Sequence, residues 1–120
     1  MTAIAYTWSE LEADTPVPFL TRQKVTGEHM LVAKIHLAKG CAVKLHRHPS
    51  EQMAIVLSGR VRWALGEPGA ADYREIEVTA GQILSIPPNS YHAVIETLED
   101  AEVIDVLSPV GPMGVDQAAR

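Results

Sequence analysis

Several kinds of residue and segment are scarce in this sequence, and each scarcity excludes a class of protein. The chain of 120 residues has one cysteine, Cys41, so it forms no internal disulfide, which indicates a reducing compartment. No apolar run approaches the roughly 20 residues of a membrane span, and no basic stretch followed by an apolar one opens the chain. We therefore expect a cytoplasmic protein without a signal peptide or membrane helix.

Basic and aromatic residues are also few. Ten Lys and Arg stand against fifteen Asp and Glu, which gives a net charge of −5. A nucleic-acid binder or a protein of anionic membrane surfaces needs the opposite balance, so neither partner is expected. Aromatic residues make up 5% of the chain and apolar residues 47%, which predicts one domain with an aliphatic, β-branched core.

What the sequence does contain is a series of short alternating or apolar runs separated by turn residues, a pattern typical of an all-β sandwich or barrel. No segment carries a sustained helical repeat. We predict eight or nine short strands, with turns at Gly59 and at Glu99-Asp100. After an irregular segment and edge strand in 1–21, the barrel covers 22–110, and a tail covers 111–120. The main predicted strands are His29–Leu37, Ala42–Arg47, Gln52–Ser58, Arg60–Leu65, Tyr73–Val78, Gln82–Ile86, Tyr91–Thr97 and Ala101–Leu107.

The histidines are the residues that indicate the chemistry of this protein. His46 and His48 are two positions apart, so on a strand both imidazoles project from one face and can converge on one point. His92 opens a later strand, directly after a turn. Imidazole is the commonest metal ligand, and such a set suits one divalent transition ion such as Zn, Ni, Fe, Mn or Cu. His29 and His36 have no comparable neighbours and are expected to face solvent.

The spacing of glycines and histidines resembles the two motifs of the cupin superfamily. The first motif reads glycine, five residues, His-x-His, three or four residues, glutamate, six residues, glycine, and residues 40–59 follow it with His46 and His48. The second reads glycine, five residues, proline, one residue, glycine, two residues, histidine, and residues 81–92 follow it with His92, except that Asn89 replaces the second glycine. The resemblance implies a single-domain cupin β-barrel (a double-stranded β-helix or jelly-roll of the RmlC-like kind), a bound metal ion and, as in many small cupins, a homodimer.

One position departs from the first motif. Gln52 stands where the superfamily has its metal-binding glutamate, although Glu51 is adjacent. Strand alternation allows only one of the two to face inward, and the motif spacing selects Gln52. The expected metal ligands are therefore His46, His48, Gln52 and His92. With four neutral ligands, the ion keeps its full double charge and is a stronger Lewis acid.

A narrower resemblance comes from the His-x-His-Pro-x-Glu-Gln form together with the later Asp105-Val-x-Ser-Pro segment. It is similar to the small cupins of pectin degradation, which open unsaturated uronates into linear keto sugars. Asp105 matches the acid of that family, whereas Leu107 and Gly111 replace its phenylalanine and arginine. The missing arginine removes the clamp for a uronate carboxylate, so the scaffold and metal site carry over but the substrate does not.

Asp105 interrupts a strand that is otherwise apolar on both faces. It is either a structural carboxylate bonded to backbone amides or the acid–base group of the pocket. Lys44 is two residues before His46, so on a strand it projects from the same face as His46 and His48. It either offers a positive charge to a substrate or reaches solvent at the barrel rim. Trp63 is expected in the core or a dimer interface rather than as a substrate platform, and Met113 is expected to fill a gap in the core.

The favoured hypothesis is a metal-dependent enzyme that isomerises, tautomerises or opens a ring in a small oxygenated molecule, such as one derived from a sugar, with Asp105 as the catalytic group. A metal-dependent dioxygenase is an alternative, since related cupins activate oxygen. A non-catalytic barrel that binds or senses a small ligand is a second alternative.

Overall fold

The computed structural model describes residues 2–118 as an all-β protein built from antiparallel strands, as the sequence predicts. A 3₁₀ turn, Trp8–Glu10, lies before the strands, and a short helix, α1 (Gly114–Ala118), follows them. The strands are β1 (Leu20–Thr26), β2 (Leu31–Leu37), β3 (Val43–His46), β4 (Glu51–Leu65), β5 (Arg74–Thr79), β6 (Ile83–Ile86) and β7 (His92–Ser108).

Two long strands organise the barrel. The strand order is β1-β2-β7-β4-β5, with β3 paired to β7 and β6 paired to β4. The first half of β4 pairs with β6 and with the second half of β7, whereas its second half pairs with β5 and with the first half of β7. Each long strand therefore passes from one layer of the jelly-roll to the other, and the two layers close around a common interior.

The predicted turns at Gly59 and Glu99-Asp100 are wrong, because β4 and β7 run through both positions and the structure has seven strands in the described residues. Register shifts between Val56 and Val61 bend the pair instead. Gly59 has φ +86°, and a Cβ there would overlap the backbone of Asp100 and Ala101. The glycine marks a bulge at a close backbone approach, which bends a strand without ending it.

Alternating aliphatic side chains fill the interior, as the burial pattern of β2 shows most clearly: Leu31, Ala33, Ile35 and Leu37 are buried and the residues between them are not. Cys41 is a buried free thiol in the same core. Part of the tail predicted for 111–120 forms α1, and Ala119 and Arg120 lie outside the described residues. Among the described residues, no helix has the length and apolarity needed to cross a membrane.

Candidate metal centre and cavity

The three histidines of the predicted site meet inside the barrel. His46 ends β3 and pairs in register with His92, the first residue of β7, while His48 lies in the loop that follows β3. The ring centroids of His46 and His92 are 4.2 Å apart, and those of His48 and His92 are 5.0 Å apart. The ligand nitrogens of all three lie within 4.8 Å of one another. We call this set the histidine cluster.

Each imidazole of the cluster is held by a backbone carbonyl two residues away in the chain. Nδ1 of His46 donates to Lys44 O at 2.6 Å, and Nδ1 of His48 and of His92 donate to Ser50 O and Ser90 O, each at 2.8 Å. Because a carbonyl oxygen only accepts, Nδ1 carries the proton in every ring, and Nε2 is left with a lone pair. This arrangement is typical of metal-ligating histidines.

Gln52 joins the cluster from β4. Its side-chain Oε1 lies 3.1 Å from His48 Nε2, and its amide nitrogen donates to Asp105 Oδ1, also at 3.1 Å. With the proton of His48 on Nδ1, the short contact brings two acceptors together, an arrangement that a cation between them would relieve. The expectation that Gln52 rather than Glu51 faces inward is confirmed, since Gln52 is buried and Glu51 is exposed.

The electrostatics of the cluster favour neutral rings. Burial, together with the neighbouring His46, lowers the pKa of His92 from its ordinary value to about 4. Burial likewise lowers the pKa of His46. Nε2 of His92 is fully buried and has no hydrogen-bond partner in the described residues. A divalent ion would fit this donor set, because neutral imidazole nitrogens and an amide oxygen are the form in which these side chains bind metals.

Asp105 lies on the second half of β7, and Gln52 stands between it and His48. It is buried, and burial raises the pKa of its carboxyl to about 7, although the hydrogen bond from Gln52 acts in the opposite direction. Its Oδ2 makes no hydrogen bond within residues 2–118, and the side chain borders the cavity. Within the described residues, no backbone amide donates a hydrogen bond to the Asp105 side chain.

The cavity beside the cluster is small and mostly apolar. The volume that the centre of a water molecule can occupy in it is about 40 Å³. This leaves room for a few waters or one small organic molecule. Its aliphatic wall comes from several strands and includes Leu20, Ile35, Leu37, Val43, Val94 and Val103. Trp63 belongs to this wall too, with its ring centroid 6.3 Å from that of His92. The sequence placed Trp63 in the core or an interface; it is in the core, at the edge of the cavity.

The sequence matches a known protein family. The Cupin domain family matches residues 33–107, which is more than half of the chain. The chain belongs to the cupin family. No curated protein matches the sequence.

Solved cupin structures resemble this one over almost the whole chain. An RmlC-like cupin from Shewanella frigidimarina has 22% identity and a TM-score of 0.78, covering 91% of this chain and 93% of its own. KdgF from Halomonas sp. has 20% identity and a TM-score of 0.79, covering 92% and 96%. A variant of oxalate decarboxylase from Bacillus subtilis has 18% identity and a TM-score of 0.77, covering 91% of this chain and 31% of its own. At these identities, the likeness shows the fold.

The C-terminal tail of this cupin closes the cavity, a feature that the sequence analysis missed. Met113, Gly114 and Val115 line the cavity and are buried. Gly114 lies so close to His46 that an added Cβ would overlap the outer edge of the imidazole. The sequence placed Met113 as a gap-filler, whereas its backbone and side chain form part of the cover over the candidate site.

An ion-pair network fixes this tail to β1. Arg22 is buried and binds Asp116 of α1 with N–O distances of 3.1 and 3.0 Å, and Asp14 with distances of 3.0 and 2.7 Å. Its Nη1 also lies 3.5 Å from the sulfur of Met113. We call Arg22, Asp14 and Asp116 the arginine cluster. The sequence did carry a signal for it, since Arg22 has the same inward parity as Leu20.

The remaining candidates lie outside the cavity. His29 is exposed, and His36 is half-exposed with its Nδ1 2.7 Å from Glu102, so neither belongs to the cluster, as predicted. Lys44 is exposed and does not line the cavity; its contribution is the carbonyl that holds His46.

Proposed function

We propose that this cupin is a metal-dependent enzyme that shifts a proton in a small oxygenated organic molecule, by isomerisation, tautomerisation or ring opening. The observation that carries the proposal is the convergence of three Nε2 lone pairs and the Gln52 oxygen beside a carboxylic acid that borders a cavity. His46, His48, Gln52 and His92 would hold one divalent ion. When bound, that ion would supply a Lewis acid for a substrate oxygen.

Asp105 is the proton-transfer group in this proposal. Gln52 holds its Oδ1, and Oδ2 remains available to take a proton from a substrate carbon or hydroxyl and to return it at a neighbouring atom. A pKa of about 7 suits both halves of such a transfer at neutral pH, because neither the acid nor the base form is scarce.

The first experiment measures metal content by mass spectrometry on untagged protein, before and after incubation with Zn, Ni, Mn or Fe. We expect close to one ion per chain in the wild type and almost none in His46→Ala and His92→Ala. His29→Ala is the matched control, because it removes an exposed histidine outside the cluster and should leave the metal content unchanged. Wild-type protein that takes up none of the four metals would overturn the proposal.

The second experiment tests Asp105. Metal-loaded protein is incubated with acetoin, a small hydroxyketone, in D₂O, and the exchange of its carbon-bound hydrogen is followed by NMR. Asp105→Asn should retain the metal and slow the exchange by about 100-fold or more. Asp72→Asn, which changes an exposed aspartate, should exchange as the wild type does. Undiminished exchange in Asp105→Asn would remove Asp105 from the mechanism.

We also propose a homodimer formed through the outer face of the sheet. Met53, Leu57 and Ile83 are exposed there, at 36%, 54% and 61% of their surface, beside the half-buried Ile55 and Ile104 of β4 and β7. A contiguous apolar surface of this kind is typical of a protein–protein interface. Light scattering should give twice the chain mass for the wild type and the chain mass for Leu57→Lys; a monomeric wild type would contradict the dimer.

A cytoplasmic location is proposed on the basis of the cysteine. Cys41 is buried and burial raises the pKa of its thiol, so it is poorly reactive, and no second cysteine is present to pair with it. A fold of this size held together without disulfides is suited to a reducing compartment. Fractionation of the native cells would check this location.

A further inference from the structure

The metal-binding ends of the histidine cluster are closed off from solvent. His48 and His92 are buried, and Nε2 of His92 is fully buried. The tail adds to this cover, because the backbone of Gly114 lies close against the imidazole of His46. An ion that arrives with its water shell therefore cannot reach these nitrogens unless part of the wall moves. The part that moves must be one whose release breaks few contacts.

The C-terminal tail meets this condition. We call residues 111–117 of the tail the lid, and no backbone–backbone hydrogen bond joins the lid to the barrel in the part of the chain that the structure describes. The strands that form the rest of the wall are joined to their neighbours by antiparallel ladders. Just before the lid, Ser50 Oγ donates to Pro109 O at 2.5 Å, which fixes the point from which the lid leaves the sheet. The lid can therefore swing outward without the loss of any ladder.

The lid is bonded within itself and fastened to the barrel by two polar contacts. Asp116 N donates to Met113 O, and Met113 N donates to Asp116 Oδ2, both at 3.0 Å. These two bonds stay intact when the lid moves as a unit. The contacts with the barrel are those between Asp116 and Arg22, which we call the latch, and the bond at 3.0 Å from Gln117 Nε2 to Arg47 O.

Arg22 keeps a partner when the latch opens. Asp14 contacts the guanidinium twice, at 3.0 and 2.7 Å, and the backbones of Asp14 and Arg22 exchange two hydrogen bonds of 2.9 Å, so Asp14 stays with β1. Asp116 is already partly exposed in the closed state and returns to water on opening. Breaking a buried ion pair is costly where it leaves one charge buried and unpaired. Opening this latch leaves neither charge in that state.

We propose that residues 111–117 form a lid that opens while the barrel stays folded, and that ions and small molecules reach the histidine cluster through this opening. The latch between Asp116 and Arg22 sets how often the lid opens. The inference rests on the proposed function for the ion that passes through the opening, whereas the movement itself does not depend on it. Local openings of this kind, cheaper than global unfolding, are common where a segment has few contacts with the rest of the fold.

The movement is tested by thiol labelling of metal-free protein. Val115 is buried and lines the cavity, so Val115→Cys introduces a thiol that is hidden while the lid is closed. Cys41 is buried in the barrel core and reports on opening of the barrel in the same molecule. Both thiols are labelled with iodoacetamide and measured by peptide mass spectrometry, each rate being divided by the rate in urea-unfolded protein. We expect the introduced thiol to react at least about tenfold faster than Cys41.

The latch is tested by adding Asp116→Asn to the Val115→Cys protein. This change weakens the charge-assisted contact with Arg22, so the lid thiol should be labelled about three- to tenfold faster. Val78→Ala is the matched control, because it weakens the core at a buried position of β5 that does not line the cavity. It should leave the labelling rate of the lid thiol unchanged.

The route of the ion is tested by Zn exchange in protein that keeps Val115. Uptake is measured after mixing metal-free protein with Zn, and release after mixing Zn-loaded protein with excess EDTA. Asp116→Asn should speed both steps by the same factor, about three- to tenfold, and leave the dissociation constant within about twofold, because the lid changes access and not the ligands. A tail with a purely structural role would leave both rates unchanged.

Equal normalised rates for the two thiols would mean that the tail opens only together with the barrel, and the proposal would be wrong. Zn exchange that is unaffected by Asp116→Asn, in a protein whose lid thiol this change does expose, would overturn the lid as the route of the ion. Protein that takes up metal but labels both thiols equally slowly keeps the proposed function and loses this inference. Protein that takes up no metal loses the proposed function, and the thiol rates then decide whether the lid opens.

Discussion

Two polar clusters lie at the same end of the barrel, and they differ in how their hydrogen-bonding groups are paired. In the arginine cluster, every charge faces an opposite charge, and Arg22 makes two contacts with each carboxylate. In the histidine cluster, Nε2 of His92 has no partner in the described residues, and Nε2 of His48 faces another acceptor. Arg22 is buried, whereas its partners Asp14 and Asp116 are 55% and 30% exposed; in the histidine cluster, His48 and His92 are both buried.

The difference indicates two kinds of role. A buried group whose partners are all present stabilises one conformation and needs no ligand, as Arg22 does for the tail. Unpaired buried acceptors cost free energy in the protein alone, and they persist where a ligand completes them. The comparison therefore predicts that a cation stabilises the protein through the histidine cluster and leaves the arginine cluster unaffected.

The largest expected effect is stabilisation by metal. At a free concentration about 100 times the dissociation constant, an ion that binds only the folded state adds about 2.7 kcal/mol, or about 10 °C in melting temperature for a domain of this size. Calorimetry of chelated and Zn-loaded protein would measure it. His92→Ala should lose the shift, and Asp116→Asn, which alters the arginine cluster, should retain it. A shift of the same size in His92→Ala would break the comparison.

The second effect concerns the point where the two clusters meet, Gly114. An alanine there would overlap the imidazole of His46, so either the ring or the tail must move. Rotating the ring gives up one hydrogen bond to Lys44 O, about 1 kcal/mol, whereas lifting the tail gives up an ion pair and exposes Met113, which costs more. The ring should move, and we expect metal affinity to fall by about tenfold or more in Gly114→Ala, measured by competition with a chelator.

Gly111→Ala is the matched control for this variant. It lies in the same tail, and its added Cβ would meet only the hydroxyl of Ser50, at 3.3 Å. Its metal affinity should equal that of the wild type. If Gly114→Ala also bound metal as the wild type does, the tail rather than the ring would yield, and the arginine cluster would be the weaker of the two attachments.

The sequence predicted the histidine cluster well because its members are specified locally. The two-residue spacing predicted that His46 and His48 converge, although the structure places His48 in the loop after β3, and motif spacing selects Gln52 over Glu51. His92 is further away in sequence, but it opens a strand directly after a recognisable turn. The fold class followed from alternation in the same way, since each short run can be identified as a strand from its own residues.

The arginine cluster and the long strands were missed because they depend on distant contacts. Arg22 and Asp116 are far apart in the chain, and neither carries a motif that pairs it with the other. Gly59 is an ordinary turn residue in sequence, and only its approach to Asp100 shows that β4 bends there and continues.

The smallest expected effect comes from loosening the arginine cluster, and it depends on pH. The hydrogen bonds from Arg22 lower the pKa of Asp14; for Asp116, burial raises the pKa, but the hydrogen bonds from Arg22 and Met113 outweigh it. The nearby Lys24 acts in the same direction on both. Carboxylates whose pKa is lowered by folding stabilise the protein fully above the ordinary value of 3.8, and this contribution is lost as the pH falls through the lower folded values.

Asp116→Asn should therefore be less stable than the wild type by about 1 kcal/mol at neutral pH, a value reduced for the partial exposure of this side chain. Near pH 3 the difference should shrink, because the wild-type carboxylate is then becoming protonated as well. Urea denaturation at both pH values measures it, with Asp72→Asn as the exposed control. A difference that stays constant with pH would mean that Asp116 holds the tail by packing or neutral hydrogen bonds. Charge pairing would then not distinguish the arginine cluster from the histidine cluster.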